Sequence, residues 1–111
     1  MTFGSFNNAI KLNDLTVSAW ARVLREVPNA RLEFMWLEFD RPESVGILDR
    51  FAYQGVDPSR IDRFGYSPDL YTPYLSLDIC LDPIYTSGGT TTYEALWMGV
   101  PVVTITGETQ F

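Results

Sequence analysis

The stretch from Gly88 to Thr106, GGTTTYEALWMGVPVVTIT, decides the fold of this 111-residue chain. Its two glycines predict a turn, and residues 90–98 predict a helix that Gly99 ends. The apolar run after Pro101 is continuous rather than alternating, which is typical of a strand covered on both faces. A turn, a helix and a buried strand in this order form one repeat of a parallel α/β sheet.

The same alternation extends from this stretch to the N-terminus. Strands are predicted at residues 1–6, 31–37, 61–66 and 78–81, and helices at residues 14–27, 42–54 and 67–77. The resulting order βαβαβαβαβ predicts the α/β class, with a Rossmann-like, doubly wound parallel sheet. A length of 111 residues fits one domain with a single layered core.

Apolar spacing indicates which side chains of each helix are buried. Asn13 or Asp14 can cap the first helix, and Gly55 can end the second. The expected buried residues are Val17, Trp20, Ala21 and Leu24 in the first helix, Val45, Leu48, Phe51 and Ala52 in the second, and Leu70, Tyr74 and Leu77 in the third.

Composition and charge exclude several classes of function. Fourteen acidic residues against eight basic ones give a net charge of -6, and the basic residues are scattered, so neither nucleic acid nor a membrane surface is an expected partner. The absence of histidine excludes a Ser-His-Asp triad and a His-ligated zinc site. No spanning segment or signal sequence is visible, and Cys80 lies in an apolar run, so we expect a cytoplasmic protein with a buried thiol.

The turn at Gly88 and Gly89 predicts an anion site, most simply for phosphate. Glycines let the backbone approach a ligand, and the N-terminus of the following helix offers unpaired N–H groups beside the hydroxyls of Thr90 and Thr91. A plain turn with a threonine cap explains the spacing equally well. Glu94 lies on the same helix face and can accept hydrogen bonds from a ribose, or it can simply favour the helix dipole.

Lys11, the only lysine, follows the first predicted strand. Loops after the first and fourth parallel strands open at the same sheet edge, so Lys11 can reach a diphosphate there, although a lone lysine is often only solvated. Asp78 and Asp82 flank the fourth strand and could act as an acid–base pair, but a turn capped by Asp82 is the simpler interpretation. No Asp-x-Asp sequence is present, so we expect a site without metal.

Motifs that resemble one known family extend over nearly the whole chain. They are TFGSFNN at 2–8 with Lys11, WA at 20–21, VP at 27–28, Gly55 with DP at 57–58, DICLDP at 78–83, and GGTTT at 88–92 through GVPVVT at 99–104. Together they resemble the C-terminal catalytic region of the O-linked N-acetylglucosamine transferase and SPINDLY glycosyltransferases.

The resemblance implies an inverting, metal-independent protein O-glycosyltransferase of the two-Rossmann-domain, GT-B type, placed after tetratricopeptide repeats. Residues 1–111 would form the nucleotide-sugar-binding domain, truncated at its C-terminus, and would transfer no sugar alone. The donor would be a UDP-sugar, with UDP-N-acetylglucosamine as the first choice, and no other cofactor is implied. The protein acceptor would bind mainly to the missing domain, and no catalytic residue is assigned here.

The family pattern also implies roles for individual residues. It places Asn8 and Lys11 near the donor phosphates, Thr90 and Thr91 on the diphosphate, and Glu94 on the ribose. The backbone N–H of Gly89 is expected to bind phosphate as well, because it lies at the N-terminus of the predicted helix.

Three positions depart from the pattern of the animal enzymes. Ser67, Leu70 and Gly89 stand where those enzymes carry a lysine and two histidines, of which the first two help to hold the base. The nucleoside and the sugar therefore stay open, since related enzymes use GDP-fucose or UDP-glucose. A non-catalytic Rossmann-like module that binds a nucleotide or phosphosugar is the alternative from another class.

Overall fold

The computed structural model describes residues 1–6, 12–35, 46–65, 69, 72–83 and 90–103. Within these ranges the strands are β1 (Thr2–Ser5), β2 (Arg31–Met35), β3 (Ile61–Phe64), β4 (Ile79–Leu81) and β5 (Val102–Val103). The α-helices are α1 (Asp14–Glu26), α2 (Gly46–Tyr53) and α3 (Thr90–Trp97), and two 3-10 helices cover Pro58–Arg60 and Thr72–Ser76. None of the helices in the described ranges is both long and apolar enough to cross a membrane.

The strands form one sheet in the order β3-β2-β1-β4-β5, and every pairing is parallel. This arrangement confirms the predicted doubly wound α/β fold. The chain proceeds outward from β1 through β2 to β3, then returns to pair β4 with the other side of β1. The direction of winding therefore reverses between β1 and β4, which makes the gap between them the topological switch point of the sheet.

Helix α1 follows its sequence prediction closely. The side chain of Asn13 caps it, since Asn13 Oδ1 accepts a hydrogen bond from the backbone N–H of Thr16 at 2.8 Å. All four residues of the expected apolar face are buried, and Trp20 packs its ring 6.1 Å from that of Phe34 on β2. The helix therefore covers one face of the sheet through the residues that its 3.6-residue period selects.

Buried residues form two clusters, one on each face of the sheet. The first cluster includes Leu24, Phe34 and Phe51. The second includes Phe6 and Tyr74, together with residues of β4 and α3. Adjacent strand residues such as Cys80 and Leu81 belong to different clusters because side chains alternate along a strand. A sheet covered on both sides is what the continuous apolar strands predict.

The predicted apolar face of α2 was partly wrong. The structure buries Ile47 and Phe51, leaves Leu48 partly buried and exposes Ala52, while Val45 lies outside the described residues. Phe51 belongs both to the face shared with Ile47 and to the face shared with Leu48 and Ala52. Packing against the sheet, rather than the period of the sequence, chooses between these two faces.

The third predicted helix is shorter and tighter than expected. It is a 3-10 helix over Thr72–Ser76, and Leu70 lies outside the described residues. Pro73 provides no N–H for an α-helical hydrogen bond, and Asp69 Oδ1 accepts from the Thr72 N–H at 3.0 Å. Tyr74 and Leu77 are buried as predicted.

The described part of the last strand is open to solvent on one side. Val103 is 53% exposed, and Val102 is only partly buried. Among the described residues β5 is the edge strand of the sheet.

Candidate functional site: the cleft between β1 and β4

A cleft opens at the switch point, where β1 and β4 end. The space that it encloses is small, about 10 Å³ or room for one water molecule, so it is a shallow depression that opens to solvent. It is lined by Gly4, Ser5, Phe6, Tyr74, Cys80, Leu81, Asp82, Thr92 and Val102. In open α/β sheets, ligands bind in the crevice beyond the carboxyl ends of the strands at this topological position. The cleft is therefore the candidate functional site.

The first turn of α3 borders this cleft. The helix begins at Thr90, as the sequence predicts, and Thr92 belongs to the cleft lining. An α-helix leaves the N–H groups of its first turn without helical partners and carries a partial positive charge at that end. The N-terminal end of α3 thus lies at the edge where a phosphate site is expected. The side chains of Thr90 and Thr91 are outside the described part of the structure.

Glu94 lies one turn further along α3 and contacts Tyr74. The hydroxyl of Tyr74 donates a hydrogen bond to Glu94 Oε2 at 3.0 Å. Tyr74 is only 1% exposed, and its ring centroid lies 4.8 Å from that of Phe6. Burial, followed by the charge of Glu94 and this hydrogen bond, raises the pKa of the Tyr74 phenol above its ordinary value of 10. The hydroxyl therefore keeps its proton at neutral pH and can donate it to Glu94.

Sequence reasoning missed this role of Tyr74. The spacing of the third helix identified Tyr74 only as an apolar core residue, and it is indeed buried. A buried tyrosine needs a partner for its hydroxyl, so a tyrosine at a core position was the available signal. The partner could not be chosen from the sequence, since Glu94 is 20 residues away.

The two aspartates around β4 do not form a pair. Asp78 precedes the strand, and its Oδ2 accepts a hydrogen bond from the backbone N–H of Thr2 at 2.8 Å, which ties β4 to the start of β1. Asp82 follows the strand, is 7% exposed and lines the cleft. Because the carboxylates lie at opposite ends of β4, they cannot act together as an acid–base pair.

Cys80 is a buried thiol, as predicted. It is 7% exposed, and burial raises its pKa to about 12. At neutral pH the thiolate is therefore scarce, and Cys80 contributes to packing in the second cluster rather than acting as a nucleophile.

Three of the predicted site residues, Asn8, Lys11 and Gly89, lie outside the described residues. The structure describes the chain on either side of Asn8 and Lys11, with Phe6 at the cleft and Leu12 buried in the first cluster. Their contribution to the site stays a prediction.

Comparison with known proteins supports the assignment to a family. Residues 1–110 match the family described as glycosyl transferase family 41. The chain is 38% identical over 115 residues to the "Probable UDP-N-acetylglucosamine--peptide N-acetylglucosaminyltransferase SPINDLY" of Solanum lycopersicum, covering 97% of this chain. It is 33% identical to the UDP-N-acetylglucosamine--peptide N-acetylglucosaminyltransferase of Giardia intestinalis, covering 96% of this chain.

A solved structure shows the same fold. A mutant of the Thermobaculum terrenum O-GlcNAc transferase superposes with a TM-score of 0.93 at 34% identity, over 96% of this chain and 21% of that chain. The chain spans 12% of the Solanum lycopersicum protein and 7% of the Giardia intestinalis protein. The sequence match, the sheet order and this superposition agree, and the chain belongs to glycosyl transferase family 41.

Proposed function

We propose that the cleft between β1 and β4 binds the nucleoside diphosphate of a sugar donor, and that the chain is the donor-binding part of an inverting, metal-independent protein O-glycosyltransferase. The observation that carries the proposal is the position of the cleft. It lies at the switch point of a parallel sheet and is bordered by the first turn of α3. Nucleotides bind at this position in doubly wound folds because backbone N–H groups converge there.

We assign the phosphates to the N-terminal end of α3. The N–H groups of Gly89, Thr90 and Thr91 would hold the diphosphate, while Lys11 neutralises part of its charge with Asn8 beside it. The positive end of a helix favours the leaving group, because the diphosphate gains one negative charge when its bond to the sugar breaks. The chain carries a net charge of -6, so few other regions would attract a polyanion.

We assign the ribose to Glu94. A carboxylate accepts hydrogen bonds from a diol, and Glu94 lies one helical turn beyond the first turn of α3, about 6 Å along the axis from Thr90. The separation would keep its negative charge away from the phosphates while leaving it within reach of the sugar attached to them.

The proposed reaction is a direct displacement at the anomeric carbon. A Ser or Thr hydroxyl of the protein acceptor attacks this carbon, and the bond from the carbon to the diphosphate breaks with its electron pair on the diphosphate. The hydroxyl proton passes to a base, and the configuration of the sugar inverts. The printed names of the relatives favour UDP-N-acetylglucosamine as donor and a peptide as acceptor. The proposal includes a second Rossmann-like domain for the acceptor, tetratricopeptide repeats and a cytoplasmic location.

Lys11→Ala tests the phosphate site. In the full-length gene product we expect this change to weaken UDP binding by about ten- to a hundredfold, because a charge-assisted hydrogen bond to phosphate is lost. Isothermal titration calorimetry with UDP and with GDP measures the effect. Arg22→Ala is the matched control, since Arg22 is an exposed cation on α1 that pairs only weakly with Glu26. Equal UDP affinity for Lys11→Ala and wild type would contradict the assignment.

A transfer assay separates the enzyme from the non-catalytic alternative. The full-length product is incubated with a Ser/Thr peptide and UDP-N-acetylglucosamine, UDP-glucose or GDP-fucose, with a chelator present throughout. Transfer from one donor supports the glycosyltransferase and identifies its sugar. Nucleotide binding without transfer from any of them would favour a nucleotide-binding module.

A further inference from the structure

The hydrogen bond from Tyr74 to Glu94 links two segments at the cleft. Tyr74 belongs to the 3-10 helix Thr72–Ser76, and Glu94 belongs to α3. The oxygen atoms lie 3.0 Å apart, and Tyr74 lines the cleft. A tyrosine hydroxyl has a single hydrogen, so this donation determines where it points.

The ring of Tyr74 is held in one place by its surroundings. It is 1% exposed, packs 4.8 Å from the ring of Phe6, and shares a buried cluster with Leu77, Cys80 and Ala95. Glu94 differs, because its side chain is only partly buried. A glutamate that is free to change rotamer loses conformational entropy when a ligand immobilises it, and a fixed partner reduces that loss.

We infer that Tyr74 is a positioning residue, which holds Glu94 through Oε2 and thereby orients Oε1 toward a ribose hydroxyl of the bound nucleoside diphosphate. The inference rests on the proposed function, because it takes Glu94 as the group that contacts the ribose. In this view a buried residue, Tyr74, affects binding of the nucleotide sugar without contacting it. The two carboxylate oxygens then have separate tasks, one toward the protein and one toward the ligand.

This division predicts a dependence on the chemistry of the ligand. Tyr74→Phe keeps the ring that packs on Phe6 and removes only the hydroxyl. If the hydroxyl orients Glu94, its loss weakens binding of a ribonucleotide by about three- to tenfold, the range for one hydrogen bond. A 2′,3′-dideoxy nucleotide offers no hydroxyl to Glu94, so its affinity changes less than twofold. A role of Tyr74 in stability alone would affect both nucleotides equally.

The experiment is a double-mutant cycle on the full-length gene product. Dissociation constants for UDP and 2′,3′-dideoxy-UDP, and for the GDP pair, are measured by calorimetry for wild type, Tyr74→Phe, Glu94→Ala and the double variant. Once Glu94 is absent, adding Tyr74→Phe should produce no further loss, because Tyr74 acts through Glu94. Ile47→Val serves as the stability control, since it perturbs the other buried cluster and should leave nucleotide binding unchanged.

The possible outcomes separate this inference from the proposed function. A loss confined to the ribonucleotide, and absent in the Glu94→Ala background, supports the positioning role. Wild-type affinity of Tyr74→Phe for the ribonucleotide, or an equal loss for both nucleotides, overturns the positioning role and leaves the proposed function standing. Failure of the wild-type protein to bind either ribonucleotide overturns the proposed function and this inference together.

Discussion

Two glycines illustrate how a single residue determines where an element ends. Gly55 and Gly99 have φ angles of +86° and +77°, in the left-handed region that residues with a Cβ rarely adopt. After α3, the N–H of Gly99 donates to Leu96 O and that of Val100 donates to Ala95 O, which is the Schellman pattern. The prediction that these glycines end their helices is therefore confirmed.

Gly99→Ala tests how much the stability of the protein depends on a glycine at this left-handed position. We expect it to lower the free energy of unfolding by about 1 kcal/mol, because an alanine in this conformation is strained. A Cβ at Gly99 would have no atom within 4 Å, so a steric clash does not contribute.

Gly46→Ala is the matched control, measured by the same chemical denaturation. Its Cβ would also have open space, but Gly46 begins α2 without a positive φ. We expect it to be neutral or stabilising by up to about 1 kcal/mol, because alanine favours the helix. Equal losses for the two variants would show that the sign of φ is not the cause.

At the scale of elements, local signals are sufficient for α1 and insufficient for α2. Helix α1 has 13 residues, a capping side chain and a wide apolar face, so its sequence identifies both its start and its buried side. Helix α2 has eight residues, and Phe51 lies on two overlapping candidate faces. A short helix has too few turns for its period to choose between them, and tertiary packing decides.

Asn13→Ala tests the cap of α1. The change removes the oxygen that accepts from the Thr16 N–H at 2.8 Å, and we expect it to lower the free energy of unfolding by about 1 kcal/mol. Asn13→Ser keeps a capping oxygen, so its free energy of unfolding should differ from that of wild type by only about 0.3 kcal/mol. Urea denaturation followed by circular dichroism compares the variants. A serine variant as unstable as the alanine variant would rule out the hydrogen bond as the source of the loss.

At the scale of the whole molecule, side chains on the sheet connect segments that are distant in sequence. Glu33 on β2 accepts a hydrogen bond from the Ser76 hydroxyl at 3.0 Å, and on the neighbouring strand Asp62 pairs with Arg31 at 2.8 Å. Burial is the main cause that raises the pKa of Glu33, Asp62 adds to it, and Ser76 and Arg31 oppose it. The folded protein therefore disfavours the charged form of Glu33 relative to the unfolded chain.

The raised pKa of Glu33 predicts how stability depends on pH. Between the ordinary value of 4.5 and the higher value in the folded state, the folded protein keeps a proton that the unfolded chain releases. The contribution of Glu33 to stability is therefore present below pH 4.5 and is lost as the pH rises through the folded pKa.

Glu33→Gln measures this contribution. At pH 7 we expect the variant to be more stable than wild type by about 0.5 kcal/mol at most, because solvent screens a partly exposed charge. The difference should vanish near pH 3.5, where both side chains are neutral, which provides an internal control. Thermal denaturation across this pH range gives the comparison, and a variant that is less stable at pH 7 would contradict the raised pKa.

The sequence alone determined the alternation of strands and helices, the parallel doubly wound class, the start of α1 at a cap by Asn13 or Asp14, the helix end at Gly99 and the burial of Cys80. These features depend on residues within one or two turns of each other, or on apolar runs, and both are visible in a single segment. The motifs also identified the family.

Tertiary structure decided the order in which the strands pair, the face that α2 buries, the separation of Asp78 from Asp82 and the pairing of Tyr74 with Glu94. Each of these joins segments that are distant in the chain, and local propensity carries no information about which distant segments meet. Burial of the Tyr74 hydroxyl required some partner, but only the packing of the 3-10 helix against α3 made that partner Glu94.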